Sequence, residues 1–332
     1  MLTGDMKEKK NECIEIEDIA YDVLDKFVFF LYTDTFKDLE WEAVIGLYYA
    51  ADKYQVERLK ILCCSFFLKD IDVHNVCEIL MLIDKHHDSD FRMRVEDFIL
   101  KNDDEVFSSS TWKQFVDEQP FLPAKTMLLK YDKDKGKRTV PETYDEKLSI
   151  HPTVQDDLLA LYKSKIITDI DIICKDTTFH VHKSVLCASS IIMREWFKKD
   201  MKCKPKDIFE IQDLEDDIVS RMLLFLYTDS LEDVQWDIAM KLYHAADVYQ
   251  ILRLKIRCSC FLIENLQISN ASTILLLAHE HQDAKLKSVV EDFIFMHDEE
   301  IFGSDEWAHF SESNVRLANE TMRSKYKKKD DL

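Results

Sequence analysis

Leu47, Tyr48, Ala51 and Tyr54 fall at the spacing that lines one face of a helix, and Leu242, Tyr243, Ala246 and Tyr249 repeat it. Asn75, followed three residues later by Glu78, predicts a helix start ahead of Ile79, Leu80, Leu82 and Ile83. Much of the chain reads this way, as two runs of short amphipathic helices ending near Trp112 and Trp307. One region changes period. In Thr168–Cys174, Asp169 and Asp171 alternate with Ile170 and Ile172, the pattern of a half-buried strand. Lys175–Thr178 is a polar turn and Phe179 and Val181 alternate again, which predicts a hairpin. Lys183–Phe197 returns to helical spacing, with Val185, Leu186, Ile192 and Trp196 on related faces. Ile208–Ile211 predicts another short strand, matched by Cys13–Ile16. A small sheet followed by a helical bundle is an α+β unit, mainly helical.

A shift of 195 positions aligns Met6–Phe115 with Met201–Phe310 without a gap and gives 44 identities over 110 positions. Solenoid repeats run to roughly 20–50 residues, so this longer period indicates two domains of one fold, related by duplication. The shared residues include Phe30, Leu31, Tyr32, Trp41, Leu59 and Phe98, mostly apolar and consistent with a common core. The expected organisation is a first domain over 1–130, a linker over 131–152, a second domain over 153–323 and a disordered polar tail over 324–332. Gly136, Pro141 and Pro152 mark the linker.

The chain of 332 residues is 46% hydrophobic and 33% charged, which predicts a packed globular protein. Its formal charge of −20 disfavours a phosphate-backbone partner, so no nucleic acid is expected. No apolar run approaches the length of a membrane span, and no membrane association is expected. The nine cysteines sit mostly within apolar helical patterns and read as reduced thiols of a protein of the cytoplasm, the nucleus or both. With glycine only at 4, 46, 136 and 303, no phosphate-cradling loop can be written. Cys258, Cys260, His279 and His281 suggest a metal set, but the spacing is wrong for a finger and the first copy does not keep it. No catalytic residues, cofactor or metal are expected, and the chain reads as a non-enzyme.

The segment Thr168–Phe197 resembles the BTB/POZ domain. The family pattern places an Asp at the first strand, then Phe-x-x-His-Lys, then Leu-Ala-x-x-Ser; here these are Asp169, Phe179, His182, Lys183, Leu186, Ala188 and Ser190. Cys187 and Ser189 depart from the residues the family often has there. The likeness continues through FLYTD, through LYYAADKYQVERLK and LYHAADVYQILRLK, and through the VEDFI helix. Taken together this is similar to the C-terminal half of speckle-type POZ proteins with part of their BACK helices, and the helix predicted at Val154–Tyr162 also fits. The resemblance implies two BTB/POZ domains, each followed by short BACK-like helices.

It also implies a protein–protein interaction adaptor. Family members dimerise through the first helix and its neighbours, and many bind a cullin scaffold and present a substrate protein to a RING ubiquitin ligase. A hydrophobic residue, any residue, then Glu is the family's cullin-binding triplet. It is intact as Met6-Lys7-Glu8 and altered as Met201-Lys202-Cys203. The resemblance therefore makes Met6, Glu8, Met201, Tyr227 and Asp229 candidates for a cullin interface, and Leu186, Ile191 and Ile192 candidates for a homodimer interface through the second domain. A core role competes for Leu186, and folding back onto their own domain competes for Met6 and Met201. Met1 aligns with Trp196, so the first copy lacks a hairpin and first helix. Its helix faces are expected to be uncovered, either because the full protein begins further upstream, the favoured reading, or because another chain covers them. The expected function is a substrate adaptor of a cullin-RING ligase in ubiquitin-dependent degradation; the alternative is a dimerising scaffold or transcriptional regulator without a ligase role. Lys325, Lys327, Lys328 and Lys329 offer a basic cluster for nuclear import, against which Asp330 and Asp331 favour a solvated tail.

Overall fold

The computed structural model describes residues 16–36, 39–131, 144–199 and 207–327. Met6, Glu8, Met201 and Cys203, most of the strand expected at Cys13–Ile16, and Lys328 and Lys329 lie outside them. The chain divides into two compact units, Met1–Val154 and Gln155–Leu332.

The first unit is helical throughout its described residues: α1 (Tyr21–Thr33), α2 (Trp41–Tyr54), α3 (Glu57–Lys69), α4 (Val76–His86), α5 (Ser89–Lys101), α6 (Asp103–Ser108), α7 (Ser110–Glu118), α8 (Phe121–Leu128) and a 3-10 turn, Leu129–Tyr131. Leu47, Tyr48 and Ala51 are buried as their spacing predicts, in one core with Leu59, Phe67 and Leu80. A Cβ at Gly46 would lie 2.7 Å from a Val23 methyl, so glycine there permits the close approach of α1 and α2. Helix α4 starts where expected, but by another device. Asn75 makes no cap bond to its own helix; its side chain accepts from the Asp72 N–H and donates to the Asp70 carbonyl, bracing the preceding loop. Glu78 accepts instead from the Trp41 indole N–H at 2.9 Å.

The expected linker contains a helix, α9 (Tyr144–Ile150), which packs on α3. Tyr144 is buried, Lys147 pairs with Asp90 at 2.5 Å, and Arg58 donates to the Leu148 carbonyl at 2.8 Å. Polar composition suggested a spacer, yet one aromatic and two cations suffice to fasten it.

The second unit opens with α10 (Val154–Ser164), β1 (Ile170–Cys174), β2 (Thr177–Val181), α11 (Lys183–Ser189), α12 (Ile191–Lys199) and β3 (Asp207–Ile211). The sheet runs β2-β1-β3, with β1 antiparallel to β2 and parallel to β3. The predicted helix Lys183–Phe197 is two helices. Ser190 breaks it: its hydroxyl donates to the Tyr249 carbonyl at 2.6 Å and accepts the Met193 N–H at 3.1 Å, capping α12. Helices α13 (Asp216–Thr228), α14 (Trp236–Val248), α15 (Leu252–Glu264), α16 (Ala271–Glu280), α17 (Ala284–Met296), α18 (Asp298–Phe302), α19 (Asp305–Ser313) and α20 (Val315–Lys327) follow. Helix α20 runs through Lys327, into the expected disordered tail, and Lys325 is paired with Asp298. α13 begins and ends 195 positions after α1, and the helices up to α19 keep that offset to within a residue or two.

Candidate interaction surface

The FLYTD string is a helix end. Asp34 and Asp229 both sit in the left-handed region, at φ 55°, and their N–H groups close on Phe30 and Phe225. Their carboxylates then pair with Arg58 and Arg253, 24 residues on in the sequence and on the next-but-one helix of each unit. Inside each unit a second polar anchor recurs. Asp52 bonds Lys60 at 2.6 Å and His86 at 2.7 Å, and Asp247 bonds Lys255 at 2.5 Å and His281 at 2.7 Å. Tyr48 and Tyr243 donate to Asp88 and Asp283, which cap α5 and α17. Burial pushes the Asp52 and Asp247 carboxyls up, but the lysine and histidine bonds outweigh it and hold both below the usual carboxylate range. These anchors tie α2 to α3 and α4, and α14 to α15 and α16; they are architecture.

The residues that carried the family likeness form a lock at the front of the second unit. Asp169 accepts the Lys183 N–H at 2.8 Å. The His182 N–H donates to the Tyr227 hydroxyl at 3.0 Å, and the His182 ring bridges that hydroxyl (2.7 Å) and the Ile166 carbonyl (2.8 Å). Tyr162 from α10 stacks on Tyr227 with ring centroids 4.6 Å apart. Tyr227 is 1% exposed, so the partner contact expected of it is replaced by a core role. Its counterpart in the first unit, Tyr32, is 81% exposed, and Val28 is 41% exposed where Leu223 is fully buried. The uncovered helix face expected of the first copy is present, with Phe29 and Leu31 beside it.

Of the expected dimer contacts, Leu186 is fully buried in its own unit and takes the competing core role. Ile191 and Ile192 on α12 face outward, at 51% and 38% exposure, and Ile166, Ile167 and Ile208 of the same unit are exposed too. Asp229 stays at the surface beside Arg253. The four-residue metal set is not assembled: Cys258 is in the core and Cys260 faces out. Among the described residues no group of three or more His, Cys, Asp or Glu side chains is arranged for a metal ion, and no helix is long and apolar enough to cross a membrane. Sequence reading missed the Tyr162–Tyr227–His182 lock. Its signal was present in the shared tyrosine of the two FLYTD strings, the second of which follows the hairpin segment that Tyr227 bonds.

Against known families, the model of the BTB/POZ domain matches residues 1–71 and 158–266, just over half of the chain. Among curated proteins the chain is similar to TD and POZ domain-containing protein 3 of Mus musculus, 33% identical over 170 residues, which is 51% of this chain and 47% of that protein. It is 32% identical over 170 residues to TD and POZ domain-containing protein 1 and 29% identical over 173 residues to TD and POZ domain-containing protein 4, both of Mus musculus. The chain spans about half the length of these relatives.

Proposed function

The chain belongs to the BTB/POZ domain family, a family of protein–protein interaction and self-association modules, and on that premise we propose that it is a substrate adaptor of a cullin-RING ubiquitin ligase. In this reading it acts as a homodimer through its second unit, in the cytoplasm or nucleus, and performs no catalysis of its own. Its affinity comes from shape and apolar anchoring. The observation that supports this best is the second unit's complete front: a locked hairpin and helix pair, with the exposed isoleucines Ile191 and Ile192 on α12 and the Asp229–Arg253 corner beyond it. Apolar anchors of that kind are worth about 1.5–3 kcal/mol each when a partner buries them. Met201 is the anchor assigned to the cullin, with Asp229 beside it in role.

Cys203 stands where the cullin-binding triplet has Glu. A hydrogen bond to a charged group contributes about 1.5–3 kcal/mol, so Cys203→Glu in the full chain tightens binding of a cullin N-terminal fragment by roughly 10- to 150-fold, read by titration calorimetry. Unchanged affinity in that variant removes the triplet from the interface. The same cysteine favours one other reading, a dimerising scaffold or transcriptional regulator without a ligase role. Self-association by sedimentation together with no binding of the cullin fragment, by the parent or by Cys203→Glu, selects that reading instead.

A further inference from the structure

Helix α9 is seated on one face of the first unit, against α3. Ile61 on α3 is only 3% exposed there. Tyr144 is buried with its ring 6.4 Å from that of Phe91 and 5.0 Å from the Arg94 guanidinium, and the Lys147 ammonium meets Asp90 at 2.5 Å. At the far end Arg58 donates to the Leu148 and His151 carbonyls at 2.8 and 3.3 Å while its Nε holds Asp34. One guanidinium thus closes both the FLYTD corner and the last turn of α9. Helices α3 and α15, and α5 and α17, correspond residue for residue at the offset of 195. In the second unit the same face is open. Ile256, the counterpart of Ile61, is 52% exposed, and Leu252 and Val289 are exposed as well. The Arg253 side chain is 68% exposed against 22% for Arg58. Lys285 stands where the first unit has Asp90 and is exposed.

We propose that this face of α15 and α17 docks one short helix of a partner protein, acidic where α9 is basic. The seated α9 is the template, and the residues that differ between the units define the occupant. An apolar or aromatic side chain in its first turn covers Ile256 and Val289; Val289 replaces the Arg94 that lies against Tyr144, so the contact becomes purely apolar. Three residues on, where α9 has Lys147, the occupant carries a carboxylate for Lys285, because a lysine there faces a like charge. The free carbonyl groups of its last turn accept from Arg253, whose five N–H donors exceed what Asp229 takes up. A second copy of this chain is a poor occupant, since its α9 carries Lys147 and is already seated on its own first unit. This surface comes in addition to the cullin and dimer assignments and does not depend on either.

The test uses the full chain without a cullin, so its outcome is separate from that of the adaptor reading. The probe is a fluorescent peptide of residues 144–153 with Lys147→Glu. A lactam from Glu146 to Ile150→Lys, two positions exposed in α9, holds it helical, because so short a helix is unstable alone. Fluorescence anisotropy is expected to show saturable binding, at least about threefold tighter than for the same peptide with Lys147. Ile256→Asp, at an exposed position, weakens binding by at least about tenfold. Lys285→Asp, which copies Asp90, reverses the preference between the two peptides. Melting curves check that both variants fold; if Ile256→Asp melts early, the reversal by Lys285→Asp alone decides. Four results overturn the proposal: equal binding of the two peptides by the parent; tighter binding of the Lys147 peptide, which makes a second copy the occupant; a preference that Lys285→Asp leaves in place; or no saturable binding up to about 1 mM.

Discussion

Replacing Tyr227 and Tyr32 by phenylalanine, one at a time, puts the same atom deletion at equivalent places in the two units. In the second unit the lost hydroxyl accepts the His182 N–H at 3.0 Å and bonds His182 Nδ1 at 2.7 Å, while His182 Nε2 donates to the Ile166 carbonyl. Phenylalanine keeps the stacking on Tyr162 but leaves the N–H and a ring nitrogen without this partner in a half-buried site. An orphaned buried group costs about 1–3 kcal/mol, and with a urea slope of about 1–3 kcal/mol per M the unfolding midpoint of the second unit falls by roughly 1 M. Tyr32 is 81% exposed, and its hydroxyl faces water. Tyr32→Phe changes stability by less than about 0.5 kcal/mol. Hydrogen-exchange mass spectrometry across a urea series reads each unit by its own peptides. Equal midpoints for both variants, or a fall confined to first-unit peptides, would refute the front lock as the reason Tyr227 is buried.

Three further outcomes follow from the geometry. Leu186→Ala removes a fully buried side chain and destabilises the second unit by about 2–5 kcal/mol in the same exchange experiment. Ile192→Asp on the outward face of α12 leaves the melting of dilute protein nearly unchanged but lowers the sedimentation coefficient at high concentration; an unchanged coefficient places self-association elsewhere. The depressed carboxyls of Asp52, Asp247 and Asp283 set the acid side of stability. Because their folded values lie below their unfolded ones, their contribution is complete above about pH 4 and is lost as pH falls through the folded values. Asp247→Asn therefore flattens the fall in melting temperature below pH 4, and an identical fall in the variant removes Asp247 from that account.

The helices were legible because their apolar residues repeat at helical spacing, and the duplication doubled the signal: an identity such as Tyr48 and Tyr243 marks a core position twice. The hairpin was legible from the alternation of Asp169 and Asp171 with Ile170 and Ile172. What escaped detection depended on single side chains whose partners are distant in sequence. Ser190 looks like a continuation of helix until Tyr249, 59 residues on, supplies the carbonyl that draws its hydroxyl away. Helix α9 looked like linker because its composition is charged, yet the buried Tyr144 and the Asp90 and Arg58 contacts fasten it. Tyr227 was expected at a cullin interface from the family resemblance; periodicity within α13 cannot report that Tyr162 and His182 close over it.

The central claim is that this chain acts by docking to other proteins, with a cullin scaffold first among them. Calorimetric titration of the full chain with a cullin N-terminal fragment tests it most directly. Saturable binding of one fragment per chain at micromolar concentration, weakened by Met201→Ala, is the predicted result. No saturable heat from the parent chain, and none from Cys203→Glu, would contradict it.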